Sequence, residues 1–314
     1  MLLNKGADVN AQGGGYSNAL QAASLGGYKE VIQILLDKGA DVNAQGGIYG
    51  NALQAASLGG YKEVIQMLLD KGADANAQGG SYGNALQAAS YEGNKEVIQM
   101  LLDKGADVNA QGGSYGNALQ AASYEGNKEV IQMLLDKGAD VTVATKDGYI
   151  PLVSASGRGH LEVVKLLLDR GADITVADEG GWTPLNAASD SGHLEVVKLL
   201  LDKGADITVA DEDGWTPLIL ASRYGHLEVV KLLLDRGADI TVTNKGGWTP
   251  LNAASDSGHL EVVKLLLDKG ADITVADEDG WTPLILASRY GHLEMVKLLL
   301  NKGADQCKDI TKLC

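Results

Sequence analysis

A strict period of 33 residues constrains this chain more than any other feature of its sequence. The tripeptide Gly-Ala-Asp recurs at intervals of 33 residues with no insertion or deletion. Its copies begin at Gly6, Gly39, Gly72, Gly105, Gly138, Gly171, Gly204, Gly237, Gly270 and Gly303. A period of this size predicts a solenoid, in which each repeat buries its apolar face only against its neighbours. We therefore expect one repeat array, although 314 residues would ordinarily suggest two globular domains.

Each repeat is predicted to be a turn followed by two helices. In the repeat 211–243, the sequence Asp-Glu-Asp-Gly-Trp forms the turn, with glycine at its tip. Thr216 can then cap the first helix, and Pro217 suits its first position because the N–H that proline lacks has no partner there. A second helix begins at His226, carries an apolar run at helical spacing and ends at Gly237.

Two kinds of repeat divide the chain. We predict a partial N-terminal repeat at 1–12, four complete repeats of a Tyr-Gly-Asn-Ala-Leu type at 13–144, five of a Gly-Trp-Thr-Pro-Leu type at 145–309, and a tail at 310–314. In the first type Asn51 can replace threonine as the cap. The glycine and the aromatic residue have exchanged order, so we expect a different turn in these four repeats.

The recurring sequences Gly-Trp-Thr-Pro-Leu, Ala-Ser, Gly-His-Leu-Glu-Val-Val, Leu-Leu-Leu and Gly-Ala-Asp resemble the ankyrin repeat, and the resemblance extends over residues 1–309. It implies an all-α ankyrin-repeat solenoid of nine complete repeats plus a partial one. It further implies antiparallel helix pairs, projecting β-hairpin turns and a concave recognition face. The Gln-Gly-Gly-x-Tyr-Gly-Asn-Ala-Leu-Gln version is similar to the ankyrin arrays of fungal NACHT-type intracellular receptors.

Composition narrows the class of partner. The net charge of −15 has the wrong sign for holding a phosphate backbone, so we expect no nucleic-acid partner. No apolar run approaches the length that spans a membrane, and we expect no membrane partner. The two cysteines, Cys307 and Cys314, cannot build a disulfide framework or a structural zinc site by themselves. An intracellular location, in the cytoplasm or the nucleus, fits this composition best.

Residues with catalytic chemistry follow the period of the repeat. Ser189, His193 and Glu195 lie close in sequence, as a nucleophile, a base and an orienting acid would, but the same trio recurs in all five C-terminal repeats. An active site needs one such constellation in one pocket, so we interpret the histidines as structural. The glycine-rich turns contain no Gly-Lys pair and are not phosphate-binding loops. We therefore predict no enzyme activity, no metal site and no cofactor.

Variation between near-identical repeats marks the candidate recognition positions. It concentrates in the turn and at the end of the first helix, and loops on a rigid scaffold commonly carry binding residues. A second candidate is a turn position that stays aromatic in the last five repeats, where it holds Tyr149, Trp182, Trp215, Trp248 and Trp281. The helix-end position holds Tyr91, Tyr124, Asp190, Arg223, Tyr224, Asp256, Arg289 and Tyr290. The aromatic rings either contact a partner or cover the start of the next helix pair. The alternating Asp and Arg residues either pair across repeats or offer a charge pattern to a ligand.

These observations predict a non-catalytic scaffold that recognises a protein or peptide partner through its concave turn and first-helix face. A structural element that self-associates end to end is the alternative. The repeat 277–309 copies the internal repeat 211–243. We expect that some of its core-type residues are left bare, and these are Ile285, Leu286, Met295 and Leu299.

Overall fold

The computed structural model describes residues 7–146 and 148–303 of the chain. Residues 1–6 of the predicted partial repeat, residue 147, and the stretch 304–314 with Cys307 and Cys314 lie outside the described residues. Within the described residues the protein forms nine consecutive pairs of α-helices. The predicted all-α ankyrin-type repeat fold is confirmed by this arrangement.

Each pair consists of a short first helix and a nine-residue second helix. The first helices are α1 (Ala19–Leu25), α3 (Ala52–Gly59), α5 (Ala85–Glu92), α7 (Ala118–Glu125), α9 (Pro151–Gly157), α11 (Pro184–Asp190), α13 (Pro217–Arg223), α15 (Pro250–Ser257) and α17 (Pro283–Arg289). The second helices are α2 (Lys29–Asp37), α4 (Lys62–Asp70), α6 (Lys95–Asp103), α8 (Lys128–Asp136), α10 (Leu161–Asp169), α12 (Leu194–Asp202), α14 (Leu227–Asp235), α16 (Leu260–Asp268) and α18 (Leu293–Asn301).

Side-chain caps begin the first helices, as predicted. Asn51 Oδ1 accepts a hydrogen bond of 2.9 Å from the backbone N–H of Gln54, which has no partner inside the helix. In the other repeat type Thr183 Oγ1 accepts from the N–H of Asn186 at 3.1 Å, and Pro184 is the first helical residue. Asparagine in one repeat type and threonine in the other thus both satisfy a free backbone N–H at the start of the first helix.

The chain divides into two compact blocks. The N-terminal block contains residues 1–155 and 162–172, and the C-terminal block contains residues 156–161 and 173–314. Inside the N-terminal block the first helices α1, α3, α5 and α7 pack in series, and inside the C-terminal block α11, α13, α15 and α17 do the same. Most of their alanines and leucines are buried, so the core is a row of small aliphatic layers.

The projecting turns differ from the predicted β-hairpins, because the described residues contain no β-strand and only one isolated bridge, between Gly79 and Gly83. Two backbone bonds close the turn that begins at Asp211, from Asp211 N–H to Trp215 O at 3.1 Å and from Gly214 N–H to Asp211 O at 3.0 Å. Neighbouring tips are joined by a bond such as the one between Glu212 N–H and Gly180 O at 3.0 Å. So few bonds within and between the turns do not form a strand ladder.

The turn geometry also differs between the repeat types, as expected from the exchanged order of glycine and aromatic residue. The first type has three positive-φ glycines in one turn, with φ of 143° at Gly46, 65° at Gly47 and 77° at Gly50. The turn that begins at Asp178 has one, Gly181 with φ of 78°.

Glutamine and asparagine side chains join repeats in the N-terminal block. Gln54 Nε2 donates to Ala77 O at 3.0 Å, at the end of its own repeat, and to Gly83 O at 3.1 Å in the next repeat. Asn43 donates to the carbonyl of Gly72 at 3.0 Å and accepts from the N–H of Asp74 at 2.8 Å. Backbone groups that lack partners in the turns are therefore satisfied by the neighbouring repeat.

Histidine makes the corresponding joint in the C-terminal block. A ring nitrogen of His226, Nε2, lies 2.7 Å from the carbonyl oxygen of Asp190 at the end of the preceding first helix. The ring also covers Gly192, whose φ is +76°, so that a Cβ atom there would lie 2.3 Å from Nδ1 of His226. The same ring-nitrogen contact joins His193 to Gly157 and His292 to Asp256.

The expectation of several bare core residues in the last repeat is wrong for three of the four. Leu286 and Met295 are 2% exposed and Leu299 is fully buried, whereas Ile285 is 44% exposed. Helices α17 and α18 pack on each other and on α15 and α16, and this packing buries Leu286, Met295 and Leu299.

The glycine beneath each histidine gives a direct test of the joint. We expect Gly192→Ala to destabilise the protein by about 1–3 kcal/mol more than Gly204→Ala. Both glycines have positive φ, and a left-handed alanine costs roughly 1–2 kcal/mol in either place. No heavy atom lies within 4 Å of a Cβ added at Gly204, so only Gly192→Ala displaces a neighbouring side chain. Urea unfolding measures both variants, and equal unfolding midpoints would contradict the histidine joint.

Candidate recognition surface

The four tryptophans occupy equivalent, half-buried places in the C-terminal block. The N–H of Trp215 donates to Asp211 Oδ1 at 2.8 Å, and the N–H of Trp248 donates to Asn244 Oδ1 at 2.9 Å. The side chain of the first residue of each turn thereby holds the backbone of the tryptophan in place. Trp182 and Trp281 have the same arrangement, with Asp178 and Asp277 as acceptors. The tryptophan positions are held by turn chemistry as well as by packing.

Ring contact between repeats occurs at Trp215 and Trp248. Their ring centroids are 6.4 Å apart and the rings are tilted by 50°. Each ring is partly exposed and partly buried, so it can cover the neighbouring helix pair and still present a face to a partner.

Arginine and tyrosine from the end of the first helix complete two stacked sets. The guanidinium of Arg223 lies 4.6 Å from the Trp215 centroid and 5.7 Å from the Tyr224 centroid. Sixty-six residues later Arg289 lies 4.7 Å from Trp281 and 5.4 Å from Tyr290. Tyr224 and Tyr290 are 48% and 53% exposed. We call these six residues the Trp-Arg-Tyr sets.

Aspartates occupy the same helix-end position in the intervening repeats. Burial raises the pKa of Asp190, and His226 and Arg223 lower it only in part. Burial likewise raises the pKa of Asp256, against the opposing effect of the two arginines and His292. Asp190 Oδ1 is buried and has no hydrogen-bond partner among the described residues. The alternating charges therefore influence each other, while the arginines stack on rings.

The N-terminal block has an aromatic cluster of its own. Tyr91 and Tyr124, which the sequence singles out, lie 4.9 and 5.6 Å from Tyr115 between ring centroids. Tyr82 also contacts Tyr91, at 5.6 Å. Sequence analysis missed Tyr82 and Tyr115, although their 33-residue spacing in the Tyr-Gly-Asn-Ala-Leu motif was a usable signal. Burial and a hydrogen bond with Tyr91 raise the pKa of the Tyr115 hydroxyl well above its ordinary value.

Tyr149 lies beside two members of this cluster. Its place in the repeat is that of Trp215, but it lies in the N-terminal block, where it is 50% exposed. There it lines a cavity together with Tyr115 and Tyr124. The sequence-predicted aromatic series thus includes residues of both blocks.

The repeated histidines lie in structural surroundings. His193 and His226 direct a ring nitrogen at a backbone carbonyl, and burial lowers the pKa of His259. Within the described residues, no group of three or more His, Cys, Asp or Glu side chains is arranged to hold a metal ion. No helix in the part of the chain that the structure describes has the length and hydropathy needed to cross a membrane.

The buried carboxyl of Asp190 gives a pH-dependent prediction. A raised pKa means that the ionised carboxyl destabilises the fold, and this penalty grows as pH rises from the ordinary value of 3.8 through the raised value. We therefore expect Asp190→Asn to unfold at a higher temperature than wild type at pH 7, by about 2–4 °C for each kcal/mol regained. The difference in unfolding temperature between Asp190→Asn and wild type should disappear as the pH approaches 3.8.

Asp173→Asn is the matched control with the opposite sign. Hydrogen bonds from the backbone and side chain of Thr175 lower the pKa of Asp173, so its ionised form stabilises the fold at pH 7. Thermal unfolding across pH measures both variants. A lower unfolding temperature for Asp190→Asn at pH 7 would contradict the assignment.

Comparison with known proteins places the chain in a family. A family model described as ankyrin repeats (3 copies) matches residues 1–79, 45–112, 86–178, 118–211, 176–244, 209–277 and 237–309, which together span 1–309. No curated protein matches the chain. The matched span agrees with the nine helix pairs and their 33-residue period, and the chain belongs to the ankyrin-repeat family.

Proposed function

We propose that this protein is a non-catalytic scaffold that recognises a protein or peptide partner through the turn and first-helix face of its C-terminal block. Ankyrin repeats are generally protein–protein interaction modules. The observation that carries the finer proposal is the pair of Trp-Arg-Tyr sets, which repeat the same stack with guanidinium-to-tryptophan distances of 4.6 and 4.7 Å.

These sets have the chemistry of interaction hot spots. Trp, Tyr and Arg are the residue types enriched where single side chains dominate binding energy. Stacking on a half-buried tryptophan holds Arg223 in place before a partner arrives, so less side-chain entropy is lost on binding. The N–H groups of the guanidinium remain available for a carboxylate or carbonyl of the partner. A surface of this kind is pre-organised rather than assembled on contact.

The residues with catalytic chemistry support a scaffold and not an enzyme. The ankyrin-repeat family is typically non-catalytic. The same joint between repeats is occupied by His193, His226 and His292. A residue that recurs in this way is explained by packing between repeats, because an active site needs one constellation in one pocket. The net charge of −15 disfavours nucleic acid as the partner. We infer an intracellular location, in the cytoplasm or nucleus, from the family and the low cysteine content.

Exposed arginines make the proposal testable without disturbing the core. We expect Arg223→Ala/Arg289→Ala to weaken binding of a protein or peptide partner roughly 30-fold or more, as loss of a hot spot of about 2 kcal/mol would. Partners are selected on the wild-type chain, and their dissociation constants are measured by calorimetry. Lys231→Ala/Lys297→Ala is the matched control, because it removes two exposed charges from the second helices of the same repeats.

Tryptophan variants separate recognition from packing. In Trp215→Ala/Trp248→Ala we expect affinity to fall with only a modest loss of thermal stability, because both rings are partly exposed. Unchanged affinity together with collapsed stability would mean that the rings only cover the helix pairs. Unchanged affinity in both the tryptophan and the arginine variants would refute recognition through this face.

End-to-end self-association is the second candidate function. The observation that favours it is exposure on the second helix of the first pair, where Val31 is 47% and Ile34 is 55% exposed. The equivalent Val64 in the next repeat is 1% exposed. At the other end Ile285 and Leu293 are 44% and 62% exposed. A pair of such surfaces could bury each other.

Light scattering over a concentration series distinguishes the two functions. If the ends associate, the mass should rise with concentration in wild type and remain monomeric in Val31→Lys/Ile34→Lys. Partner binding through the Trp-Arg-Tyr sets should be unaffected by that variant. A wild-type chain that stays monomeric at high concentration would exclude the second candidate.

A further inference from the structure

Two arginines of the C-terminal block carry N–H donors that have no acceptor among the described residues. Arg223 and Arg289 are exposed at the ends of the first helices α13 and α17. Each guanidinium lies over aromatic rings, and neither forms a hydrogen bond or an ion pair within the part of the chain that the structure describes. Their N–H groups are therefore available to a ligand.

Arginines at the ends of second helices behave differently. Arg170 pairs with Asp136 of the preceding repeat at 3.1 Å, and Arg236 pairs with Asp202 at 2.9 Å. Arg223 also has a carboxylate nearby, because it influences the pKa of Asp190, which burial raises. It nevertheless stacks on a tryptophan instead of closing an ion pair. The Trp-Arg-Tyr sets thus keep their charge for something outside the chain.

The chemistry of a stacked guanidinium favours a carboxylate as the ligand. Its N–H groups lie in one plane and form a fork that matches the two oxygens of a carboxylate. The Trp215 ring, 4.6 Å from Arg223, holds this fork in place before a ligand arrives, and the Trp281 ring does the same for Arg289 at 4.7 Å. Such a bond therefore costs less side-chain entropy than one from a mobile arginine.

The aspartates of the intervening repeats restrict where else the ligand can be negative. Asp256 lies in the repeat between the two sets, and both Arg223 and Arg289 act on the pKa of its carboxyl, which burial raises. Asp190 occupies the same position one repeat before Arg223. A ligand with negative charge along its whole length, such as a nucleic acid, would meet these carboxylates as well. The matching ligand is negative only opposite the arginines.

The position of the two sets in the array limits the distance between the ligand's carboxylates. The Trp215 and Trp248 centroids in adjacent repeats are 6.4 Å apart, and packed helices lie about 10 Å apart, so two repeats correspond to about 13–20 Å. An extended chain advances about 3.3 Å per residue and directs every second side chain to the same side. Side chains four or six residues apart on one segment therefore reach both arginines.

We propose that the two Trp-Arg-Tyr sets bind two carboxylates, four or six residues apart, on one extended segment of the partner, with uncharged residues between them. One carboxylate accepts hydrogen bonds from Arg223 and the other from Arg289. The proposal rests on the proposed function, because it names the partner chemistry for the same surface. The net charge of −15 opposes an acidic ligand at long range, but at about 0.15 M salt this repulsion is screened beyond about 8 Å.

Isomeric peptides test the carboxylates and their spacing. The peptide Gly-X-Ser-Gly-Ser-Gly-Ser-X-Gly, acetylated and amidated, carries X as glutamate or glutamine, and its isomers place the second X four or two residues after the first. Each is titrated into the full chain at about 0.15 M salt while NMR follows the Nε–H signals of Arg223 and Arg289.

We expect the better of the two wider glutamate peptides to bind roughly tenfold tighter than its glutamine form, because charge-assisted hydrogen bonds are lost with glutamine. It should also bind roughly tenfold tighter than the glutamate isomer with the two-residue spacing, which can engage only one arginine at a time. Equal affinity for the glutamate and glutamine forms, or no measurable binding of either, would overturn the proposal.

A third glutamate tests the role of the intervening aspartate. Placed midway between glutamates that are four residues apart, it faces Asp256 and should weaken binding about threefold or more. In Asp256→Asn this loss should disappear. A third glutamate that strengthens binding to the wild-type chain would contradict the charge pattern.

Charge reversal tests the two arginines directly. Arg223→Glu/Arg289→Glu should prefer the peptide with X as lysine over the glutamate peptide by roughly fivefold or more, because the attraction changes sign. Both side chains are exposed, so the variant should keep its fold, and thermal unfolding checks this. Lys231→Glu/Lys297→Glu is the matched control, since it reverses two exposed charges on the second helices of the same repeats and should retain the preference for glutamate.

The same variants distinguish failure of the proposal from failure of the proposed function. If selected partners lose affinity in Arg223→Ala/Arg289→Ala while glutamate and glutamine peptides bind alike, the surface recognises a partner of other chemistry and the two-carboxylate proposal is wrong. If selected partners bind the arginine and tryptophan variants as they bind wild type, recognition through this face fails. A preference for glutamate that persists in Arg223→Glu/Arg289→Glu would place the peptide elsewhere and refute the site.

Discussion

The joint between one repeat and the next is the interaction on which the rest of this structure depends. A 33-residue helix pair cannot bury its own apolar face, so its stability comes from its neighbours. In the C-terminal block the joint has a specific form, in which the His226 ring covers the left-handed Gly192 and directs Nε2 at the Asp190 carbonyl. In the N-terminal block Asn127 covers Gly93 in the same way and donates to Ser90 O and Tyr91 O at 3.1 and 2.9 Å. Two side chains of different chemistry thus perform one function, because both carry a planar polar group at the right distance from the preceding helix end.

Fixed joints leave other positions free to vary, and the candidate recognition residues are among them. The helix end beside each joint holds Asp190 in one repeat and Arg223 in the next, without a change in the backbone that carries them. The two side chains have different surroundings. Arg223 projects over Trp215, and Asp190 is partly buried with a raised pKa. A repeat scaffold can therefore alternate an arginine stack with a strained carboxylate on one backbone, which is how such proteins change specificity while they keep their fold.

The change of repeat type within the N-terminal block shows what happens when two joint chemistries meet. Gln54 matches the glycine-rich turn that follows it, whereas Gln120 faces Thr145 and loses both of its usual carbonyl partners. The mismatch leaves a cavity beside Gln120. Sites where local rules conflict are common places for function, since a consistent sequence would have filled them.

The sequence by itself determined the repeat length, the two helices of each repeat, their Thr or Asn caps and their glycine ends, because these follow from local periodicity and short-range hydrogen bonds. It also marked Trp215 as part of a recurring aromatic turn position, and Arg223 and Tyr224 as variable positions on a constant scaffold. It could not show that Arg223 stacks on Trp215, or that Tyr149 lines a cavity with Tyr115 and Tyr124, because those contacts depend on how neighbouring repeats are placed. The burial of Leu286, Met295 and Leu299 likewise depends on how the two helices of the last repeat pack on each other and on the preceding repeat. Tertiary structure decided these points because side-chain contacts between repeats depend on distances across the stack, and a repeating sequence fixes only the positions along the chain.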